Sequence, residues 1–162
     1  MGVRIAAIEL EKEEMKFSAG HFTIFSATER ENLHGHNFTV AVTLHAPVGD
    51  DGLIGDYRAM KERLFALCKS LNETTLLPTQ SPYLNLVTDG RQVTVRFGSE
   101  TLVFLKRDVT LLPIANVSVE ELSRHLGQTL ISSGAFSDEC VELQVKVASG
   151  PGQYGIWRWV KP

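Results

Sequence analysis

Cysteine is nearly absent from this chain of 162 residues. Cys68 and Cys140, far apart and in no metal-ligand spacing, exclude a disulfide framework and a thiolate zinc site. No stretch reaches the roughly 20 apolar residues a membrane span needs. The first residues, MGVRIAAIELEKEEMKF, are charged too early for a secretory signal. MGVRIA also has Ala where a myristoylation signal has Ser or Thr, so a cytoplasmic protein with no membrane partner is expected. Runs of Lys or Arg are missing too, and the formal charge of −3 argues against a nucleic-acid surface. There is no repeat, low-complexity tract, interdomain linker or glycine-rich phosphate loop. What is left is an ordinary globular composition, 43% hydrophobic and 22% charged, read as one domain over 1–162.

Only five histidines occur, yet two of them, His34 and His36, flank a single glycine in ENLHGHNF. On a helix this spacing diverges; on a strand, i and i+2 share a face with Cα atoms roughly 6.5 Å apart. The residues that follow decide for the strand. HNFTVAVTLHA (36–46) puts Phe38, Val40, Val42 and Leu44 on the face of His36, opposed mainly by Asn37, Thr39 and Thr43. Upstream, EEMKFSAGH (13–21) alternates so that Met15, Phe17 and Ala19 share a face with His21. An antiparallel pair joined by the connection 22–33 brings His21 beside the other two. Three imidazoles with a vacant fourth position are the donor set of a catalytic zinc site, since structural sites use four protein ligands. The plainer alternative is polar side chains on a loop rim. Gly35 is expected to allow close approach of backbone or substrate.

DYRAMKERLFALCKSL, from Asp56, carries Met60, Leu64, Leu67, Cys68 and Leu71 on one helical stripe, and NETTLLPTQSP is read as its end. Residues 83–106 read as short strands turning at TDG and GSE. NVSVEELSRHLGQTLISSG predicts a second helix, N-capped by Ser118 with Glu121 as capping-box partner. VELQVKVAS and QYGIWRWV form a closing antiparallel pair across GPG. The order predicts an α+β fold: an antiparallel sheet, two helices on one face, and a β-hairpin region inserted between the helices. Cys68, on the apolar stripe, is expected to be an inert core thiol.

FSAGH (17–21), followed by LHGHNF (33–38), resembles the 6-pyruvoyltetrahydropterin synthase / 6-carboxytetrahydropterin synthase family. GLIGDYRAMK (52–61) and NVSVEEL (116–122) resemble two further family elements in the same order, leaving 72–113 outside the resemblance. The resemblance implies the tunnelling fold, a homotrimer or homohexamer, Zn²⁺ on His21, His34 and His36, and a dihydroneopterin triphosphate substrate. It also exposes departures. The family's Cys four residues before the first His of HGH is Arg30 here, and Asn72 and Glu73 stand where an Asp-His pair follows the first helix. Ser149 falls in the stretch where members carry a pterin-gripping Glu. Glu31 offers a carboxylate near the metal: RENLHGHN resembles the subgroup in which Glu replaces Cys, linked to side-chain cleavage towards 6-hydroxymethyl-dihydropterin. Its alternative is a solvated loop charge. Glu73, Glu120 and Ser149 are the candidate substrate contacts, with Glu142 another acid able to replace the missing Glu. The expected activity is a zinc-dependent lyase on a pterin side chain; a diverged paralogue that binds a pterin or purine-like ring without turnover is the alternative.

Overall fold

The computed structural model describes residues 2–135 and 138–162. Its central feature is one long strand, β3 (His34–Pro47), which is paired along both edges. On one edge lie two strands in succession: β2 (Lys16–His21) against the first half of β3, and β1 (Ile5–Leu10) against the second. β9 (Glu142–Gly150) covers the other edge and is followed by β10 (Gln153–Val160). The antiparallel β2–β3 register sets His21 opposite His34 and Ala19 opposite His36.

Side-chain alternation gives this sheet one apolar face, built by Phe17, Phe38, Val40, Val42, Leu44, Leu143, Val145 and Val147. Against it pack α1 (Arg58–Leu71), through Met60, Leu64, Cys68 and Leu71, and α2 (Val119–Ser132), through Leu122, Leu126 and Leu130. Each large side chain buried here contributes roughly 1.5–3 kcal/mol. Ser118 caps α2 by accepting the Glu121 N–H at 3.3 Å. The Glu121 carboxylate does not return to Ser118, as a capping box requires; it accepts the Ala115 N–H at 3.0 Å and fastens the incoming loop. Two glycines bring α2 onto β10. A Cβ on Gly127 would lie 2.1 Å from the Trp157 ring, and one on Gly155 would lie 2.3 Å from the Val119 carbonyl.

The sheet is mixed rather than purely antiparallel. NETTLLP does more than end α1: Thr74–Pro78 is a strand, β4, running parallel to β2. A strand was unread at each margin as well, β1 near the N-terminus and β8 (Val109–Leu112) parallel to β4. Leu76 and Leu77 are both buried, so β4 is a short continuous apolar run without the alternation that reveals a half-buried strand. The inserted region is a separate three-stranded antiparallel sheet, β5 (Asn85–Asp89), β6 (Gln92–Phe97) and β7 (Glu100–Leu105). Val93, Val95 and Phe97 pack with Phe22, Ile24 and Leu77 into a second, smaller core. That core reaches the connection 22–33 and hence the histidines.

Candidate metal centre

His21 ends β2 and His34 begins β3, so the two rings meet across the first pair of the ladder, with His36 two residues further along the same face. Ring centroids are separated by 4.7 Å (His21–His34), 5.1 Å (His21–His36) and 4.7 Å (His34–His36). One ligand atom from each lies within 4.8 Å of the other two. Phe38 forms the floor, edge-on to His21 at 5.4 Å and to His36 at 5.7 Å.

Hydrogen bonds from outside the triad fix how the rings present themselves. His21 Nδ1 is 2.9 Å from the Val117 carbonyl, and His34 Nδ1 is 2.7 Å from the Asn32 carbonyl. A carbonyl only accepts, so both Nδ1 atoms carry a proton, and Nε2 is the atom each of these rings can offer to an ion. His21 Nε2 is buried without a hydrogen-bond partner, and His34 Nε2 faces His36 Nε2 at 3.0 Å. Converging ring nitrogens, one of them buried without a hydrogen-bond partner, fit a divalent cation with a nitrogen donor set. Burial chiefly lowers the His21 pKa, opposed by the Val117 bond and reinforced by His34 and His36, so the ring is neutral and ready to ligate.

Glu31 stands beside this centre. Its carboxylate accepts the Thr23 N–H at 2.8 Å and lies 4.0 Å from His34 Nε2. Partial burial works to raise its pKa. The Thr23 hydrogen bonds and the neighbouring His34 and His21 outweigh that and hold it below the ordinary carboxylate value. A cavity of about 570 Å³ opens beside the rings, lined by His21, Glu31, His36, Glu120, Ser149 and Gln153, with Phe25, Phe38 and Val119 as apolar wall.

Four of the candidate residues from the sequence, His21, His34, His36 and Glu31, thus come together, and Glu120 and Ser149 line the same cavity. Glu73 does not line it; it borders a second cleft with Ser18, Asn37 and Asp108, which shares His36 with the first. Gly35 also borders that second cleft. Glu142 is engaged on the sheet by Arg158 and Gln144. Two participants escaped the sequence reading. The Val117 carbonyl is a backbone atom that no residue pattern announces. Asn116 fastens Ile24 through both ends of its amide, accepting from Ile24 N at 3.1 Å and donating to Ile24 O at 2.8 Å; it belonged to a stretch already singled out, but for helix capping.

A two-helix α+β fold with a three-histidine centre at the start of its longest strand defines the class. The family model for 6-pyruvoyl tetrahydropterin synthase matches residues 9–156, and the chain belongs to that family. The match runs through 72–113, the segment without a recognisable motif. Among solved structures, the Plasmodium vivax 6-pyruvoyl tetrahydropterin synthase is similar at 27% identity and a TM-score of 0.89, covering 98% of this chain and 99% of that one. The Plasmodium falciparum 6-pyruvoyl tetrahydropterin synthase is similar at 26% identity and TM-score 0.89, with 97% and 99% covered. A Plasmodium vivax variant with a catalytic glutamate replaced by alanine matches at 26% identity and TM-score 0.89, covering 98% and 99%. These likenesses identify the fold as the tunnelling fold. No curated protein matches this chain by sequence. Among the described residues, no helix is long and apolar enough to cross a membrane.

Proposed function

We propose that this protein is a zinc-dependent lyase acting on the side chain of a dihydroneopterin triphosphate. The observation that carries the reading is the Glu31 carboxylate held 4.0 Å from His34 Nε2, at the edge of a cavity shared with the triad. A glutamate is also the catalytic residue of the similar Plasmodium vivax protein.

His21, His34 and His36 would hold the ion, which when bound would supply Lewis-acid polarisation of substrate oxygens. Glu31, ionised at neutral pH, accepts the proton released as the side chain reacts and returns it to the product. The Thr23 N–H anchors this carboxylate, which lines the cavity. Glu120 and Ser149, which line the same cavity, are the substrate contacts: Glu120 offers an acceptor for the amino-pyrimidine edge and Ser149 a neutral hydroxyl. Glu73 contacts nothing in this cavity within one chain. The assembly is a homotrimer or homohexamer, a reading supported by β10, which ends the strand order of the main sheet among the described residues and leaves its outer edge open to pairing with another copy.

The second reading, a paralogue that binds a pterin or purine-like ring without turnover, is favoured by Ser149 at the position of an expected acid and by Arg30 at that of the family's cysteine. Incubating zinc-loaded protein with dihydroneopterin triphosphate and resolving the products by chromatography separates the two. The lyase reading expects a cleaved or rearranged side chain and loss of product formation in Glu31→Gln. Unchanged substrate that nevertheless co-elutes with the protein supports the binding-only reading.

A further inference from the structure

The connection carrying Glu31 is a miniature hairpin. Ile24 bridges Arg30, the Glu31 N–H donates to the Thr23 carbonyl at 2.8 Å, and the Thr23 N–H donates to the Glu31 carboxylate at 2.8 Å. So short a ladder does not hold itself in water. Arg30 supplies the missing restraint. Its side chain is 15% exposed and its guanidinium lies 5.0 Å from the Phe22 ring centroid and 5.7 Å from that of Phe97. Nη1 donates to the main-chain carbonyl of Glu31 at 2.8 Å, while Nε donates to the Glu100 carboxylate at 2.9 Å and Nη2 donates to the same oxygen. Phe97 and Glu100 flank the turn between β6 and β7 in the inserted sheet. One guanidinium therefore ties the peptide of Glu31 to the inserted sheet.

We propose that Arg30 is a positioning residue for Glu31, and that the inserted three-stranded sheet, acting through Glu100 and Phe97, is part of the active-site machinery. The proposal rests on the reading of Glu31 as the acid/base. Arg30 occupies the place of the family's cysteine but points away from the cavity, into the second core, so it replaces that cysteine in sequence and not in chemistry. A planar fork satisfies a carboxylate and a carbonyl at once while lying between two rings; a lysine ammonium keeps the charge without the fork.

The test uses the full-length, zinc-loaded protein and the variants Arg30→Met, Arg30→Lys and Glu100→Gln. Three readouts are taken: steady-state kinetics on dihydroneopterin triphosphate, bound zinc, and amide hydrogen exchange across residues 22–33. Arg30→Met is expected to lower kcat about tenfold or more at near-constant KM, because small misplacements of a reacting group carry penalties of that order. Arg30→Lys should recover part of the loss, and Glu100→Gln should show a smaller one, with zinc content unchanged throughout. Exchange at Thr23 and Glu31 should accelerate in Arg30→Met while β3 amides keep their protection. A kcat that does not change, or one that falls only because zinc is lost, overturns the proposal. If the unaltered protein turns nothing over, the lyase reading fails by itself, and the exchange arm still decides: protection of Thr23 and Glu31 that survives Arg30→Met refutes the clamp.

Discussion

Gly155→Ala is the substitution whose consequence the packing specifies most sharply. A Cβ at this position would sit 2.3 Å from both the carbonyl carbon and oxygen of Val119 and 2.6 Å from the Glu120 nitrogen, all backbone atoms of the first turn of α2. Normal contact requires more than 3.4 Å, so strand and helix must part by about 1 Å, and overpacking of this kind costs about 1–3 kcal/mol. In a chain of this length each kcal/mol lowers Tm by roughly 2–4 °C, which gives a drop of about 2–12 °C. The displacement also reaches the site, because that turn follows Val117, whose carbonyl holds His21 Nδ1, and carries Glu120 on the cavity wall. Calorimetry of the metal-free protein measures the stability term, and a zinc titration measures the effect on the centre, where weakened affinity is expected. Gly150→Ala, with nothing within 4 Å of its Cβ, serves as the neutral control. A Gly155→Ala protein as stable as the control, binding zinc equally well, would refute the claim that α2 and β10 meet backbone to backbone at this point.

Two other outcomes follow from the burial and ion pairs. Cys68 is fully buried, and desolvation pushes its thiol up to about 12, so alkylating reagents at mildly basic pH should modify it only after unfolding; labelling of Cys68 in native protein, read by mass spectrometry, would contradict the core assignment. The Glu121 carboxyl is held below its usual 4.5, chiefly by hydrogen bonds from Arg124, with the Ala115 N–H as a further donor. A depressed folded pKa means that the unfolded chain binds more protons in the window just below 4.5, so the contribution is whole above 4.5 and vanishes as pH falls through the folded value. The stability difference between the unaltered protein and Glu121→Gln should therefore shrink on acidification below 4.5, and a difference constant with pH would show that the carboxylate charge plays no part.

The sequence was most legible where one face of an element is wet. His21, His34 and His36 fell on one side because Phe17 and Ala19 in β2, and Phe38 and Val40 in β3, alternate with exposed Ser18, Asn37 and Thr39. α2 was legible for a related reason, its Leu122–Leu126–Leu130 stripe beginning one turn after a serine cap. β4 was not, because Leu76 and Leu77 are buried on both faces and lose the period-two signal. The parallel pairing of β4 with β2 and β8 was hidden as well, since strands separated by a helix or by a whole inserted sheet leave no local trace of their partner. At the site the side-chain donors were readable and their supports were not. The Val117 carbonyl and the Arg30–Glu100 clamp join residues 96 and 70 positions apart in the chain, and such partners become visible only in three dimensions.

The most direct measurement is a titration of metal-free protein with Co²⁺ and Zn²⁺, followed by visible absorption and calorimetry and repeated on His21→Ala and His34→Ala. Three converging imidazole nitrogens predict about one ion per chain, a cobalt spectrum of low coordination number displaced by zinc, and loss of the strong site in either variant. Tight binding untouched by both substitutions, or no binding in the unaltered protein, would contradict it.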